Sequence, residues 1–282
     1  MNISLAFSPC PNDTFIFDAL VHNRIDTEGI SFNMNLADIQ TLNRQAAKGE
    51  TDMIKLSYAA YPQVSDRYQL LTSGSALGHG VGPLVISRIK IQVDELEHIK
   101  IAIPGEFTTA NLLITLANPK AQNKAVYHFS QIEDVVMAYE TEVGVIIHES
   151  RFTYHQRGLR LVVDLGEFWE QYTGLPIPLG GIAIRRDLPE DTKLRINELV
   201  KRSVEYAITR PSASYPFVSQ NAQNLNDDVL RSHIELYVND FTVDLGEKGK
   251  RAVNELMRRA YKVDFCQPSD GEPVSYTHLT LP

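Results

Sequence analysis

The residue type best suited to proton transfer near neutral pH stands where the sequence can aim it. His148 follows the apolar run Val143-Gly144-Val145-Ile146-Ile147, which reads as a strand in the buried centre of a parallel sheet. The end of such a strand is the edge where α/β sheets bind ligands. Imidazole exchanges a proton near neutrality, so His148 is a candidate general base. Glu149 and Arg151 follow it with opposite charges, which would shift its pKa in opposite directions. Position alone fits equally well a strand-end histidine that only bonds to backbone.

Candidate anion contacts are Ser57 and the pair Thr108-Thr109, each placed where a strand hands over to a helix. Hydroxyls and free N–H groups at a helix start bind carboxylates. The same residue types are also ordinary N-caps, and each one taken singly fits capping better. Their recurrence in both halves of the chain adds weight to the binding reading. Lys55, inside the apolar strand before Ser57, can pair with an acidic substrate. Cys10 and Asn12 lie in the loop Ser8-Pro9-Cys10-Pro11-Asn12-Asp13. A helix start there would lower a thiol pKa, but a small residue at a pocket rim is the simpler reading. His79 stands between Gly78 and Gly80, in a loop that can approach a ligand closely or simply form a surface turn.

Several chemistries are excluded. Gly78-x-Gly80-x-Gly82 lacks the strand–turn–helix context of a dinucleotide site, and no P-loop, zinc-protease motif or nucleophile elbow is present. The two cysteines, Cys10 and Cys266, make neither a disulfide framework nor a structural zinc spacing. A net charge of -8 offers no counterion-release attraction to nucleic acid or to anionic lipid. The N-terminus has no basic region followed by a long apolar stretch, and no apolar run approaches a membrane span. These features predict a cytoplasmic protein that binds neither nucleic acid nor membrane.

The elements that must position these residues form two α/β series. In the first, strands are predicted at 3–7, 30–36, 52–56, 68–72 and 84–87. Helices are predicted at 14–21, with Asn12 or Asp13 as N-cap, and at 39–48, ending at Gly49. In the second, strands at 100–103, 125–129, 143–147 and 159–164 alternate with helices at 110–117 and 132–139. Strand character returns at Gly180–Arg185. Helices then follow at 192–209, 227–237 and 247–261. A helical tail without its own sheet predicts a discontinuous domain. Residues 1–84 and 184–282 form the larger lobe, 85–183 the smaller, and a ligand cleft lies between them. The hinge is predicted at 82–87 and 180–184. Val274 to Pro282 shows no period, resembles a translated sequencing-adapter read-through, and is set apart from the fold.

Five ordered segments resemble one family. They are Ser8-Pro9-Cys10-Pro11-Asn12-Asp13-Thr14-Phe15-Ile16-Phe17, Lys55 to Tyr61, Gly78 to Pro83, Ile147 to Tyr154, and Thr173 to Gly180. The resemblance is to the 1,4-dihydroxy-6-naphthoate synthases of the futalosine route to menaquinone, and it runs from about Ile3 to Tyr261. The sequence departs from the family pattern at Glu106-Phe107. The resemblance implies a type II periplasmic-binding-protein-like fold used as a cytoplasmic enzyme. It also implies a carbon–carbon lyase acting on cyclic dehypoxanthinyl futalosine, with no metal or organic cofactor. His148 would be the proton acceptor. Lys55, Leu56 and Ser57 would stand on one side of the carboxylate substrate, and Thr109 and Ala110 on the other. Two alternatives share the fold: a small-anion binding or sensor protein that needs no base, and chorismate dehydratase of the same pathway. The opening segment and the His148 segment favour the synthase.

Overall fold

The computed structural model describes residues 1–222 and 226–267, so the odd tail 274–282 lies outside the described residues. Eleven strands appear among them. They are β1 (Asn2–Phe7), β2 (Ser31–Leu36), β3 (Met53–Ser57), β4 (Tyr68–Leu70), β5 (Ala76–Gly78), β6 (Leu84–Ser87), β7 (Ile101–Ile103), β8 (Lys124–Val126), β9 (Val143–Ile146), β10 (Arg160–Asp164) and β11 (Ile177–Arg185). They make two sheets. The first has the order β2-β1-β3-β11-β4, with β5 also on β11. The second has the order β10-β6-β9-β7-β8.

In the first sheet β1 runs parallel to β2 and β3, while β11 returns antiparallel to β3, β4 and β5. Residues 177–183 therefore pair with the first sheet, whereas the expected boundary at 184 put them in the smaller lobe. The long antiparallel register against β3 decides this, because Gly180 pairs with Ser57 and Ile184 with Met53. The crossing segments also differ from those expected. Residues 84–87 and 180–184 lie inside strands, and the chain crosses between sheets at 79–83 and again at 165–176. At these crossings Gly82 and Gly166 touch backbone to backbone, and a Cβ on Gly82 would fall 2.1 Å from the Gly166 nitrogen. Only glycine allows so close an approach.

In the second sheet β9 is the central strand, antiparallel to β6 and parallel to β7. Its four residues are all buried, which is why the run Val143–Ile146 is apolar throughout.

The first helix spans Pro11–Val21, earlier than the expected start at Thr14. Pro11 occupies the first helical turn, where a missing N–H costs nothing, and Cys10 takes the N-cap position without a side-chain bond. Asn12 and Asp13 are thus helical residues rather than caps, free to face inward. This helix packs against the C-terminal helices Glu190–Thr209, Pro211–Asn221 and Asp227–Tyr237, and Gly246–Lys262 packs against β11. Its residues from Pro11 to Leu20 are all buried, as expected of a helix covered on every side. The helix Ile39–Lys48 matches its sequence bounds. Asp38 caps it through the N–H groups of Gln40 and Thr41, and Gly49 ends it at φ 75°. No helix among the described residues is long and apolar enough to cross a membrane.

Candidate active site

A cavity, partly open to solvent, lies where the two sheets present their strand ends. His148, Lys55, Ser57, Asn12, Thr108, Thr109 and Ala110 all line it. Three other expected residues do not. Leu56 points to the opposite face of β3 and sits in the hydrophobic core, as period-two alternation requires. His79 is half exposed, bonded through Nδ1 to Glu170 at 2.7 Å and lying 3.3 Å from the Lys248 ammonium. Cys10 is buried behind His148.

His148 is half-buried, two residues beyond the end of β9 at Ile146. Its backbone is left-handed, with φ 59°. That conformation costs a non-glycine residue about 1 kcal/mol or more and concentrates at functional sites. The turn after it is held from outside. Arg151 donates to the Gly82 carbonyl at 2.6 Å and to Asp164 at 2.7 Å, so one guanidinium ties the His148 turn to the first crossing and to the end of β10.

The His148 ring lies edge-on to Phe129 at 5.1 Å and stacks on His233 at 6.3 Å. The Cys10 sulfur sits 3.4 Å from its Nδ1 and 3.6 Å from its Nε2. Burial lowers the His148 pKa; Glu149 and Asp13 oppose the shift, and Lys55 adds to it. The imidazole is therefore neutral at pH 7 and able to accept a proton. Burial, then Glu149 and Asp13, hold the Cys10 thiol well above its usual range. A protonated thiol is a poor nucleophile, so Cys10 serves as a neighbour of His148.

Lys55 is not a free cation. Its ammonium lies 2.9 Å from Asp13, with side-chain exposures of 5% and 2%. Asp13 also accepts from the Ser8 hydroxyl at 2.6 Å and from the Asn12 amide at 2.9 Å. The Asn12 carbonyl oxygen in turn faces Nε2 of the fully buried His233 at 3.0 Å. With the Asn12 amide nitrogen committed to Asp13, His233 must carry its proton on Nε2. The cleft floor is thus a connected chain of Lys55, Asp13, Asn12 and His233.

Ser57 and Thr109 part company. Asn43 accepts from the Ser57 N–H at 2.9 Å and donates to its Oγ at 3.1 Å. Ser57 makes no side-chain cap bond, so its hydroxyl proton remains free for the cleft. The Thr109 hydroxyl is fully used, donating to the Leu179 carbonyl at 2.6 Å and accepting from the Ala59 N–H at 3.3 Å. It joins the second lobe to the first. Thr108 does cap its helix, accepting from Asn111 N–H at 3.2 Å. What this helix offers the cleft is the backbone of Thr109 and Ala110, whose first-turn N–H groups have no acceptor within the helix.

Asp13, Ser8, Asn43, His233 and Tyr237 were not singled out from the sequence as site residues. One signal was available: a lysine inside an apolar strand requires a buried acid. His233 and Tyr237 come from a helix more than eighty residues beyond His148, and no local pattern marks them.

The sequence model of a family described as "Menaquinone biosynthesis" matches residues 3–262. A protein of Thermus thermophilus named 1,4-dihydroxy-6-naphthoate synthase is 48% identical over 95% of this chain and 97% of its own. One of Streptomyces coelicolor with the same name is 43% identical over 92% of each. A crystal structure from Archaeoglobus fulgidus superposes with a TM-score of 0.87 at 32% identity, covering 93% of this chain and 97% of that one. The alkanesulfonate-binding protein of Xanthomonas axonopodis superposes with a TM-score of 0.71 at 11% identity, covering 98% and 97%. That likeness shows the fold alone: a two-lobed α/β architecture of the periplasmic-binding-protein type.

Proposed function

The chain belongs to the menaquinone biosynthesis family, and on that premise we propose that it is a carbon–carbon lyase converting cyclic dehypoxanthinyl futalosine to 1,4-dihydroxy-6-naphthoate. The observation that carries this reading is His148, a neutral imidazole held in a left-handed turn at the wall of the cavity between the sheets. The bicyclic substrate loses its sugar-derived part as a carbon–carbon bond breaks, and the gain of aromaticity drives the step. His148 takes the proton. The step moves protons and electron pairs with no net oxidation or reduction, so it calls for neither a metal nor an organic cofactor.

The substrate carboxylate is held by the Ser57 hydroxyl and the N–H groups of Thr109 and Ala110, at a helix start that favours negative charge. Lys55 contributes by ordering Asp13 rather than by meeting the anion, because its charge is already paired. The walls of Ile39, Val81, Pro83 and Leu179 suit the ring system. Closed lobes exclude water. The net charge of -8 fits a cytoplasmic protein that binds neither nucleic acid nor membrane.

Incubating purified protein with the cyclic futalosine derivative and following the naphthoate by chromatography tests the proposal. Product formation is expected, with no added metal or cofactor. Ligand binding without turnover would instead identify a binding protein.

A further inference from the structure

The donors of the cleft are almost all committed. Lys55 is paired with Asp13, His233 with Asn12, Arg151 with Gly82 and Asp164, and the Thr109 hydroxyl with Leu179. Tyr237 is different. It ends the helix Asp227–Tyr237, lines the cavity, and is only 7% exposed. Its ring contacts His233 at 4.6 Å, and His233 in turn stacks on His148. Among the described residues its hydroxyl has no hydrogen-bond partner. A buried ring that lines a cavity with its hydroxyl unpaired can offer that donor to a ligand there.

We propose that the Tyr237 hydroxyl is a second catalytic group, donating a hydrogen bond and then a proton to the ring oxygen that becomes a phenol oxygen of the product. The inference rests on the function proposed above. The charged and titratable groups around the phenol are Arg151, Cys10, Glu149 and Asp164. Burial, the largest influence, keeps the phenol protonated, opposed only by Arg151.

The step balances as a retro-aldol type of cleavage. His148 removes the proton of a hydroxyl on the sugar-derived carbon, and the freed electron pair forms that fragment's carbonyl. The carbon–carbon bond to the ring breaks, and its electrons move through the ring onto a carbonyl oxygen. That oxygen takes the Tyr237 proton as the ring becomes aromatic. The proton on His148 then restores Tyr237. One proton has passed from a hydroxyl to a ring oxygen, and nothing is oxidised or reduced overall. A donor aimed at the developing charge is worth about 10²–10³ in rate.

The test is Tyr237→Phe, which keeps the ring packed on His233. The expected result is a kcat lower by about 10² or more, with KM close to wild type and the acidic limb from His148 retained. A purely structural role would leave kcat nearly unchanged, and that result overturns the proposal. A binding measurement on the unmodified protein needs no variant. The dihydroxynaphthoate should bind about tenfold tighter than 2-naphthoate, which lacks both ring hydroxyls, as one hydrogen bond to a buried donor allows; Tyr237→Phe should lose most of that preference. Equal affinity for the two acids in the unmodified protein also overturns it. If the unmodified protein fails to turn over the cyclic substrate, the functional reading falls and this inference with it. If it turns over and Tyr237→Phe is equally active, only the inference falls.

Discussion

The Lys55 ammonium lies 2.9 Å from the Asp13 carboxylate, and both side chains are almost wholly buried. This pair joins the centre of the first sheet to the first helix, directly beneath the cleft. Removing one partner leaves the other charged and desolvated. Lys55→Met is therefore expected to destabilise the fold by about 3–5 kcal/mol, measured by urea unfolding. Adding Asp13→Asn should recover part of that loss. A Lys55→Met protein as stable as the parent would show that the pair bears no such load.

His148→Asn should bind substrate with similar affinity and lose most of its turnover, since asparagine stays polar but cannot act as the base. A drop in kcat of about 10²–10⁴ is expected. Burial places the His148 pKa below the ordinary 6.5. The protonated form is inactive, so kcat/KM should be constant above neutrality and fall as pH drops through that lowered pKa. Retention of most of the kcat in His148→Asn would exclude His148 as the base.

Ser57→Ala should raise KM more than it lowers kcat, because a carboxylate contact is made both before and during the reaction. Asn43→Ala should act in the same direction, since Asn43 bonds both the N–H and the hydroxyl of Ser57. Steady-state kinetics on the two variants checks this. A pure kcat effect in both would place Ser57 at the reacting atoms instead.

The Thr109 hydroxyl bridges Leu179 and Ala59, so its loss should loosen the contact between the lobes. Thr109→Val should raise KM several-fold and enlarge the radius of gyration seen by X-ray scattering in the presence of ligand. Thr109→Ser keeps the hydroxyl and should behave as the parent. Equal behaviour of the two variants would remove the hydroxyl from lobe closure.

Stability should fall on mild acidification. Burial, and then the proximity of His148, lower the His233 pKa well below 6.5, and burial lowers that of His148. Between the folded and unfolded pKa values the unfolded chain binds more protons than the folded one, which favours unfolding. The full contribution is present above about pH 6.5 and declines as pH falls through that range. Thermal melts from pH 7.5 to 5 should show a falling Tm, and His233→Gln should flatten part of that slope if it folds.

The sequence alone determined the features that depend on local pattern. The apolar run before His148 made β9 legible as a buried central strand. Asp38 and Gly49 framed the helix Ile39–Lys48, because capping chemistry is local. Ser57, Thr109 and His148 were legible as strand-end and helix-start residues for the same reason. The first helix began earlier than expected because Pro11 acts as a helix starter here and not as a breaker. The helix Leu165–Thr173, with Asp164 as its cap, was not anticipated within the return crossing.

The tertiary structure alone decided which polar groups are spent and which are free. Lys55 and Asp13 are 42 positions apart and meet because β3 lies beside β1, which leads into the first helix. β11 joined the first sheet through a register no local signal encodes. Thr109 is bound across the lobes, Ser57 is not, and Tyr237 arrives at the cleft from a distant helix. Hydrogen bonds are satisfied in three dimensions, between whatever the fold brings within about 3 Å, and a single sequence does not record that pairing.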